Sequence, residues 1–303
     1  MIVKAFCPAH LTGFFMAKKN DRIEETGSLG AGFSIQHGVS TSVEVDMGAN
    51  LGQSINVSGY SSPDTQVSKS ILDEYRKRYD MGFVNIDHKI TVPVGYGFGC
   101  SAAAAFSLSI ALNAALGSPL TKEEEAGIAH KVDIECKTGL GDVLGAYHGG
   151  FEMRYRAGSP GIGCVEKIQT DSSIVIACFS RVSTEKFITE RLESVDGLGG
   201  RMLEKLVQSK CRVLDFQDMS LEFAEHIGVM TPKIRYAVDA LHKVGIKCGV
   251  ALFGETVFAM VDPTIKELAA RTLERLDGCQ VIRSQIDNDG ARLQTITPVI
   301  SNG

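Results

Sequence analysis

The sequence predicts an α+β fold with two domains, and three observations lead to this prediction. Strand patterns fill most of the first third of the chain, helix patterns follow them, and strands and helices mix again in the second half. Residues 157–170 concentrate Gly, Pro and Ser between the two parts, as boundaries between domains often do. We therefore predict domains at residues 1–165 and 166–303, each containing strands and helices.

The first strands are predicted from apolar runs and from alternation. Residues 2–10 (IVKAFCPAH) form a short apolar run that Pro8 is expected to stop. Residues 33–45 alternate apolar and polar side chains over most of their length, and residues 54–60 (SINVSGY) form another candidate strand. The first third of the chain is therefore expected to consist largely of strands.

Helices are expected next, at residues 66–80 and 101–116. A third helix begins after Thr121, where the sequence T-K-E-E is a capping box, and it should run to about Lys137. Residues 145–156 (GAYHGGFEMRYR) then return to a strand pattern.

The second domain begins with a buried-strand pattern at residues 172–179 (SSIVIACF). Helices are predicted at 184–227, interrupted by a turn at 196–200 (DGLGG), and at 231–244. A strand at 256–263 (TVFAMVDP) and a helix with an apolar stripe at 264–276 (TIKELAARTLERL) complete this prediction.

The composition is that of a globular protein that does not bind nucleic acid. Apolar residues make up 44% of the chain and charged residues 22%, so a large core is expected. The net charge is -5, and the densest basic cluster, residues 76–78, is typical of a solvated helix face. This acidic balance argues against a nucleic-acid partner.

The cysteines and the apolar segments indicate a soluble cytoplasmic protein. No two of the eight cysteines have the C-x-x-C spacing, and several lie in apolar runs, which favours free buried thiols in a reducing compartment. No window reaches the roughly 18 apolar residues that a membrane-spanning helix requires. We therefore expect neither a zinc site nor a membrane partner.

The segment PVGYGFGCSAAAA at residues 93–105 combines three alternating glycines with the start of a helix. It lacks the lysine of a P-loop, and the acidic residues 123–125 that lie about 20 positions on open a helix, unlike the acid of a dinucleotide-binding motif. Two interpretations remain from the residues alone. The glycines form either a tight turn before a packed helix or a cradle of N–H groups for a phosphate at the helix N-terminus.

Three motifs together resemble those of the GHMP kinases, the superfamily of galactokinase, homoserine kinase and mevalonate kinase. The glycine segment resembles the second GHMP motif, FCPAHLTGFF (6–15) resembles the N-terminal motif, and TGLGDVLGAYHGGF (138–151) resembles the aspartate-containing motif. PAHLTGFF, GSLGAGF (27–33) and TGLGDV are most similar to the archaeal pantoate kinases of this superfamily, and so is the C-terminal part of the chain. The apolar VALFGETVFA replaces the second glycine-rich loop of most members.

The resemblance implies a fold and an activity. It implies a ribosomal-S5-like N-terminal domain and a ferredoxin-like C-terminal domain with the active site between them. The expected reaction is the ATP- and Mg²⁺-dependent phosphorylation of (R)-pantoate to 4-phosphopantoate in coenzyme A biosynthesis, carried out by a homodimer. The alternatives are a GHMP kinase for homoserine, mevalonate or a sugar, and a nucleotide-binding sensor of the same fold.

The resemblance also assigns roles to residues near the transferred phosphate. It makes Asp142 the general base for the substrate hydroxyl. It places His10 near the transferred phosphate, and Thr12, Ser28 and Gly30 near the substrate acid. The substrate carboxylate should also meet an arginine or a cluster of amides, and the sequence does not rank the candidates Arg154, Arg156, Arg283 and Arg292.

The nucleotide and the metal are assigned in the same way. ATP is expected at the glycine segment, through Pro93, Gly95, Gly97, Gly99, Cys100, Ser101 and Ala102. Ser101 matches the Mg²⁺-binding serine of the superfamily. The acidic ligand is either Asp133, which the resemblance favours, or Glu135, two residues along the same helix.

Overall fold

The computed structural model describes residues 1–60, 65–181 and 197–297, which form two β-sheets and the helices packed on them. Up to residue 181 the elements are β1 (Ile2–Lys18), β2 (Gly27–Asp46), β3 (Gly52–Gly59), α1 (Gln66–Arg76), β4 (Phe83–Ile90), α2 (Cys100–Ala115), α3 (Lys122–Glu135), α4 (Asp142–His148), β5 (Phe151–Arg156), β6 (Cys164–Ile168) and β7 (Ser173–Arg181). The later elements are α5 (197–208), α6 (Val213–His226), α7 (Pro232–Lys243), β8 (Gly249–Ala251), β9 (Gly254–Val261), α8 (Lys266–Glu274), β10 (Gln280–Gln285) and β11 (Arg292–Thr297). This mixture confirms the predicted α+β class.

The first sheet is built around the long strand β2. Its strand order is β11-β1-β2-β4-β3, and β5 also pairs with β2 and carries β6 at its other edge. β1 pairs with β2 along almost its whole length, whereas β5 pairs with residues 30–33 and β4 with residues 39–46. One edge of β2 therefore pairs with β1, and its other edge pairs first with β5 and then with β4. At residues 30–33, β1 and β5 lie on opposite sides of β2.

The first strand is longer than the sequence predicts. Pro8 does not stop it, because the register between β1 and β2 shifts between Pro8 and Ala9. Proline lacks the N–H that a regular ladder uses, and a bulge is one of the few positions in a sheet where that loss is tolerated. The strand therefore continues through His10 and Thr12 to Lys18.

Helix α2 packs against β1 and β2 and is buried on nearly all sides. It carries alanines, larger apolar residues and no charged residue, so it needs no solvated face. Its polar side chains are paired inside the protein: Ser107 donates to the carbonyl of Ala103, and Ser109 donates to the carbonyl of Glu125. The prediction of a core helix at residues 101–116 is confirmed.

The second sheet has the strand order β10-β7-β9-β8. Helices α7 and α8 pack against it, and helix α6 contacts β8 and β9 of this sheet as well as β1 of the first. Phe216 of α6 lies 6.1 Å from the ring of Phe14 and 4.8 Å from that of Phe151, measured between centroids. Phe258 of β9 lies 4.9 Å from the ring of Phe33 of β2 and 5.7 Å from that of Phe216, so aromatic side chains join the two sheets.

Several boundaries differ from the predictions, although the capping box at Thr121 is formed as expected. Residues 145–148 belong to α4 instead of a strand, and residues 197–200 are helical instead of a turn. Residues 184–196 of the predicted helix lie outside the described residues. The boundary predicted near residue 165 falls within β6, and β11 returns to the first sheet.

Candidate active site

The glycine segment lies between the end of β4 and the start of α2. Gly97 has a φ of 82°, a conformation that favours glycine, and a Cβ atom there would lie 2.2 Å from the carbonyl oxygen of Leu252. Gly99 is the N-cap residue of α2 and has no side chain with which to cap the first N–H groups of that helix. A helix N-terminus with such N–H groups is suited to bind a phosphate.

Two pockets lie near this helix end. The first, of about 550 Å³, is lined mainly by apolar residues of β3, β4, α1 and α2, together with Ser101 and Thr138. The second, of about 270 Å³, is lined by Thr12, Phe15, Ser28, Gly139, Leu140, Gly141, Asp142 and Phe253. Because Thr138 and Gly139 are consecutive, the two pockets adjoin. The first pocket has a mainly apolar lining, whereas the second has the hydroxyls of Thr12 and Ser28 and the carboxylate of Asp142 on its wall.

Two carboxylates converge where the pockets adjoin. A Cβ atom on Gly139 would lie 2.4 Å from Asp133 Oδ2 and 2.9 Å from Asp142 Oδ2. Thr138 Oγ1 donates to Asp133 Oδ1 at 2.6 Å. Burial, together with the charge of Asp142, raises the pKa of Asp133 to about 7. A cation between these carboxylates would offset both the cost of burying a charged Asp133 and its repulsion by Asp142.

The structure separates the two acids of α3. Asp133 is 2% exposed and faces Thr138, which lines the same pocket as Ser101. Glu135 is half-exposed and lies 3.9 Å from Lys131 on the helix surface. Among the described residues, no group of three or more His, Cys, Asp and Glu side chains is arranged to hold a metal ion. A Mg²⁺ ion usually binds one or two carboxylates and completes its shell with phosphates and water, which suits Asp133 with Ser101.

His10 lies beneath the second pocket and contacts two carboxylates. Its Nδ1 is 2.9 Å from Asp142 Oδ1, and its Nε2 is 3.0 Å from Glu152 Oε1. Burial alone would lower the pKa of His10, but the charge of Glu152 and the hydrogen bonds to Asp142 and Glu152 outweigh it and raise the pKa to about 9. The two carboxylates favour the imidazolium form of His10 at neutral pH, although Arg154 Nη1 also lies 3.3 Å from its Nε2, and the contact with Nδ1 orients Asp142.

We expect this charge to be measurable. In ¹H–¹⁵N imidazole spectra, His10 should be doubly protonated at neutral pH and titrate near pH 9. Glu152→Gln keeps the shape of the side chain but removes its charge, so the pKa of His10 should fall. A neutral His10 imidazole in the wild-type protein at neutral pH would contradict this assignment.

The same pKa shift predicts how stability depends on pH. The folded-state pKa of about 9 exceeds the ordinary value of 6.5, so the stabilisation by protonated His10 is complete below about pH 6.5. It is lost as the pH rises toward 9. The melting temperature should therefore fall over this interval more steeply for the wild type than for His10→Gln, and parallel pH profiles would show that His10 is not charged.

Arg154 is fully buried and incompletely paired. Its Nη1 donates to Glu152 Oε1, whereas its Nε and Nη2 have no hydrogen-bond partner in the described part of the chain. A Cβ atom on Gly141, which lines the second pocket, would lie 2.4 Å from Ser28 Oγ and 3.2 Å from Arg154 Nε. Glu152 Oε2 is likewise without a partner in the described part of the chain, and buried polar groups without partners are costly, so this buried pair has unused capacity to bind a polar group.

The other three arginines considered as carboxylate receptors are engaged elsewhere. Arg156 donates to the carbonyl of Ile162, Arg283 pairs with Glu274, and Arg292 pairs with Asp287. Of the four candidates, Arg154 is the one that adjoins the residues lining the second pocket.

The remaining predicted site residues occupy different positions. Thr12 and Ser28 line the second pocket, and Ser101 lines the first. Gly30 lies within β2, opposite Phe15 and Arg154. Cys100 donates its buried thiol to the carbonyl of Pro93, and Ala102 is buried. Any contact of a nucleotide with Cys100 or Ala102 is therefore expected through the backbone.

Sequence reasoning missed Glu152, Thr138, Phe15 and Phe253. Glu152 and Arg154 alternate with apolar residues in β5, a pattern that ordinarily indicates a solvated face. They are buried instead, because His10 and the neighbouring strands cover them. The sequence did contain one signal, which is the pair of opposite charges two residues apart in one strand, because buried charges in proteins are usually paired.

The chain is similar to characterised proteins over almost its whole length. Residues 66–150 match the family described as GHMP kinases N terminal domain. The pantoate kinase of Methanocaldococcus jannaschii is 30% identical over 282 residues, which cover 91% of this chain and 99% of that protein. The pantoate kinase of Thermococcus kodakarensis is 28% identical over 285 residues, or 91% of this chain and 93% of that protein. A solved structure described as a phosphotransferase related to the CoA biosynthesis pathway is 25% identical and matches with a TM-score of 0.86, covering 97% of this chain and 99% of that one.

Proposed function

Since this chain belongs to the pantoate kinases of the GHMP superfamily, we propose that it transfers the γ-phosphoryl group of ATP to (R)-pantoate and so produces 4-phosphopantoate for coenzyme A biosynthesis. The observation that carries this proposal is the buried, incompletely paired Arg154 beside the pocket of Asp142. One end of that pocket is suited to a carboxylate and another part to a reacting hydroxyl. Pantoate has both groups.

We propose that Arg154 and Ser28 bind the substrate carboxylate. Arg154 has two nitrogens that lack a partner among the described residues, and a guanidinium binds carboxylates through two parallel hydrogen bonds. Glu152 accepts from the third nitrogen and fixes the guanidinium in the protein. The hydroxyls of Ser28 and Thr12 add donors on the wall of the pocket.

Asp142 accepts the proton of the substrate's primary hydroxyl. Its Oδ1 contacts the His10 imidazolium, whereas its Oδ2 is directed toward Gly139 on the wall of the pocket. His10 orients the carboxylate, and Glu152 in turn keeps His10 protonated. A positioned base of this kind contributes roughly 10²- to 10⁴-fold to the rate.

The nucleotide phosphates are held by backbone N–H groups. Gly95, Gly97 and Gly99 offer N–H groups without side chains in the way, and the partial positive charge of α2 favours an anion there. Bound Mg²⁺ would neutralise the charge that develops on the phosphoryl oxygens. We propose Asp133 and Ser101 as its protein ligands, because Asp133 is buried beside Asp142 and Glu135 is at the surface.

The metal assignment gives a paired prediction. Asp133→Asn removes a ligand charge and should raise the Mg²⁺ concentration for half-maximal activity by at least about tenfold, since even residues behind metal ligands change affinity by 10- to 100-fold. Glu135→Gln is the matched control on the same helix and should behave as the wild type. Calorimetric titration of Mg-ATP should show the same difference, and the opposite pattern would move the ligand to Glu135.

The activity itself is tested by ADP release from Mg-ATP with pantoate, homoserine, mevalonate and galactose as separate substrates. We expect ADP release with pantoate. Activity with homoserine but not pantoate would reject pantoate as the substrate. ATP binding without ADP release for any of the four compounds would favour a nucleotide-binding sensor.

We also propose that the enzyme is a homodimer of the cytoplasm. β11 is an edge strand of the first sheet, and its Leu293 and Ile296 are exposed, which suits pairing with a second copy. All eight cysteines are free thiols, as in proteins of a reducing compartment. The mass in solution, measured by light scattering, tests the dimer. Among the helices of the described segments, none has the length and apolar composition that crossing a bilayer requires.

A further inference from the structure

The substrate pocket has an aromatic wall that phosphoryl transfer does not require. Phe15, Leu140 and Phe253 line it together with the polar side chains described above. The rings of Phe15 and Phe253 lie 5.6 Å apart between centroids. Phe15 is almost fully buried, and the ring of Phe223 lies 6.1 Å behind it, so this wall continues into the core. One side of a pocket for a charged, hydroxylated acid is therefore apolar.

Phe253 is held in this wall by an unusual backbone. It lies in the turn between β8 and β9 with a φ of 67°, in the left-handed region. Turns of this kind normally use Gly, Asn or Asp there, and a bulky residue in that region is a genuine outlier. Such strain is concentrated at active sites and ligand clamps. The turn alone does not call for a phenylalanine.

The turn is fixed to both sides of the active site. The N–H of Leu252 donates to the carbonyl of Thr12 at 3.1 Å, which ties the turn to the substrate pocket. Thr256 Oγ1 donates to the carbonyl of Tyr96 at 2.8 Å, which ties it to the glycine segment. The ring of Phe253 is therefore held in place between the phosphate cradle and the acid-binding residues.

The proposed substrate has an apolar group at the corresponding position. Pantoate carries two methyl groups on the carbon between its C2 carbinol and the hydroxymethyl group that is phosphorylated. With the carboxylate at Arg154 and the primary hydroxyl at Asp142, this quaternary carbon lies within the pocket that Phe15 and Phe253 line. Apolar side chains gain by covering methyl groups and gain nothing from a hydrophilic chain.

We infer that Phe253, packed on Phe15, receives the geminal dimethyl group and is the residue that selects pantoate from hydroxy acids that lack these methyl groups. This inference rests on the proposed function. It assigns to the apolar turn in VALFGETVFA a role in recognising the substrate.

The test compares pantoate with 2,4-dihydroxybutanoate, which has the same carboxylate and hydroxyls without the methyl groups. The wild type should favour pantoate in kcat/KM by roughly 100-fold or more, because each methylene is worth about 10- to 200-fold in an apolar pocket. Phe253→Asn removes the ring but keeps a residue that tolerates the left-handed region. It should lower kcat/KM for pantoate by about 10- to 100-fold and leave the value for 2,4-dihydroxybutanoate within about threefold.

Phe253→Leu is the matched variant, since it keeps an apolar side chain. It should retain an intermediate preference for pantoate, and melting temperatures of both variants establish that they fold. An equal loss with both substrates in Phe253→Asn would show that the ring only supports the turn, and would overturn the inference while the proposed function stands. A wild type that phosphorylates neither acid would reject the proposed function, and the inference with it.

Discussion

Replacing Asp142 by asparagine should lower kcat by roughly 10² to 10⁴, the usual contribution of a general base. Asparagine has nearly the same shape, and its oxygen can still accept from His10, so the fold and the position of the side chain should persist. What is lost is an oxygen that takes the proton of the substrate hydroxyl. The measurement is ADP release with pantoate at saturating Mg-ATP.

Two further values make this experiment decisive. The KM for ATP should stay close to that of the wild type, because the nucleotide is held by the glycine segment and α2. The melting temperature should fall somewhat, because asparagine keeps the hydrogen bond but removes the charge opposite His10. A fall in kcat of less than tenfold would remove Asp142 from the role of base and leave transfer to depend on alignment and charge neutralisation alone.

Replacing Arg154 by lysine should lower kcat/KM for pantoate by roughly 10- to 100-fold. Each hydrogen bond to a charged group contributes about 1.5–3 kcal/mol, and lysine cannot reproduce the two parallel bonds of a guanidinium. Lysine keeps the positive charge beside buried Glu152, so it avoids the loss of about 3–5 kcal/mol expected when one partner of a buried pair is removed. The loss should appear mainly in KM, since the carboxylate is bound in both the ground state and the transition state.

The matched control for this variant is Arg156→Lys. Arg156 lies two residues further along the chain, is exposed, and donates to the carbonyl of Ile162, so its replacement should leave the kinetics unchanged. The amide of pantoate provides a second control. The wild type should be less active on this uncharged analogue than on pantoate, and Arg154→Lys should have nearly the same kcat/KM on the analogue as the wild type. If Arg154→Lys instead lowers kcat/KM by the same factor for the amide as for pantoate, Arg154 does not bind the carboxylate.

His10, Asp142, Glu152 and Arg154 form one connected set of charges, and this arrangement explains how His10, Glu152 and Arg154 remain buried together. Glu152 lies between His10 and Arg154 and neutralises part of the charge of each. Removing any one member leaves another charge without its partner, which is more costly than the direct contact suggests. For each single substitution in this set, the melting temperature should therefore be measured together with the reaction rate.

Local features of the site could be predicted from the sequence because a few neighbouring residues determine them. The alternating glycines before α2 indicated a tight turn or a phosphate cradle, and Gly95, Gly97 and Gly99 all have positive φ, which glycine adopts without strain. The capping box at Thr121 fixed the start of α3 in the same way. Three motifs in order were also enough to indicate the family, which the comparisons confirm.

Where the prediction failed locally, long-range contacts outweighed local preference. Pro8 ordinarily ends a strand, but pairing with β2 on the other side of a bulge carries β1 onward to Lys18. Residues 145–148 have a strand-like composition, yet they continue the helix that begins at Asp142. In both cases the packing of elements distant in the sequence outweighed the local conformational preference.

The sequence by itself determined the α+β class and the glycine segment before α2, because residue types within a few positions encode backbone conformation, and its resemblance to the GHMP motifs led to the proposal of Asp142 as the base. Tertiary structure alone showed that Asp133 is buried while Glu135 is at the surface, and that Arg154, of the four arginines considered, adjoins residues lining the second pocket. It also brought His10 within 3.0 Å of Glu152, 142 residues away. Contacts between residues so far apart in the sequence follow from the register of β1, β2 and β5. In this register, the glycine at position 32 leaves space for the ring of His10 to reach across β2. No local pattern specifies that register, since it depends on how the whole sheet buries its apolar face.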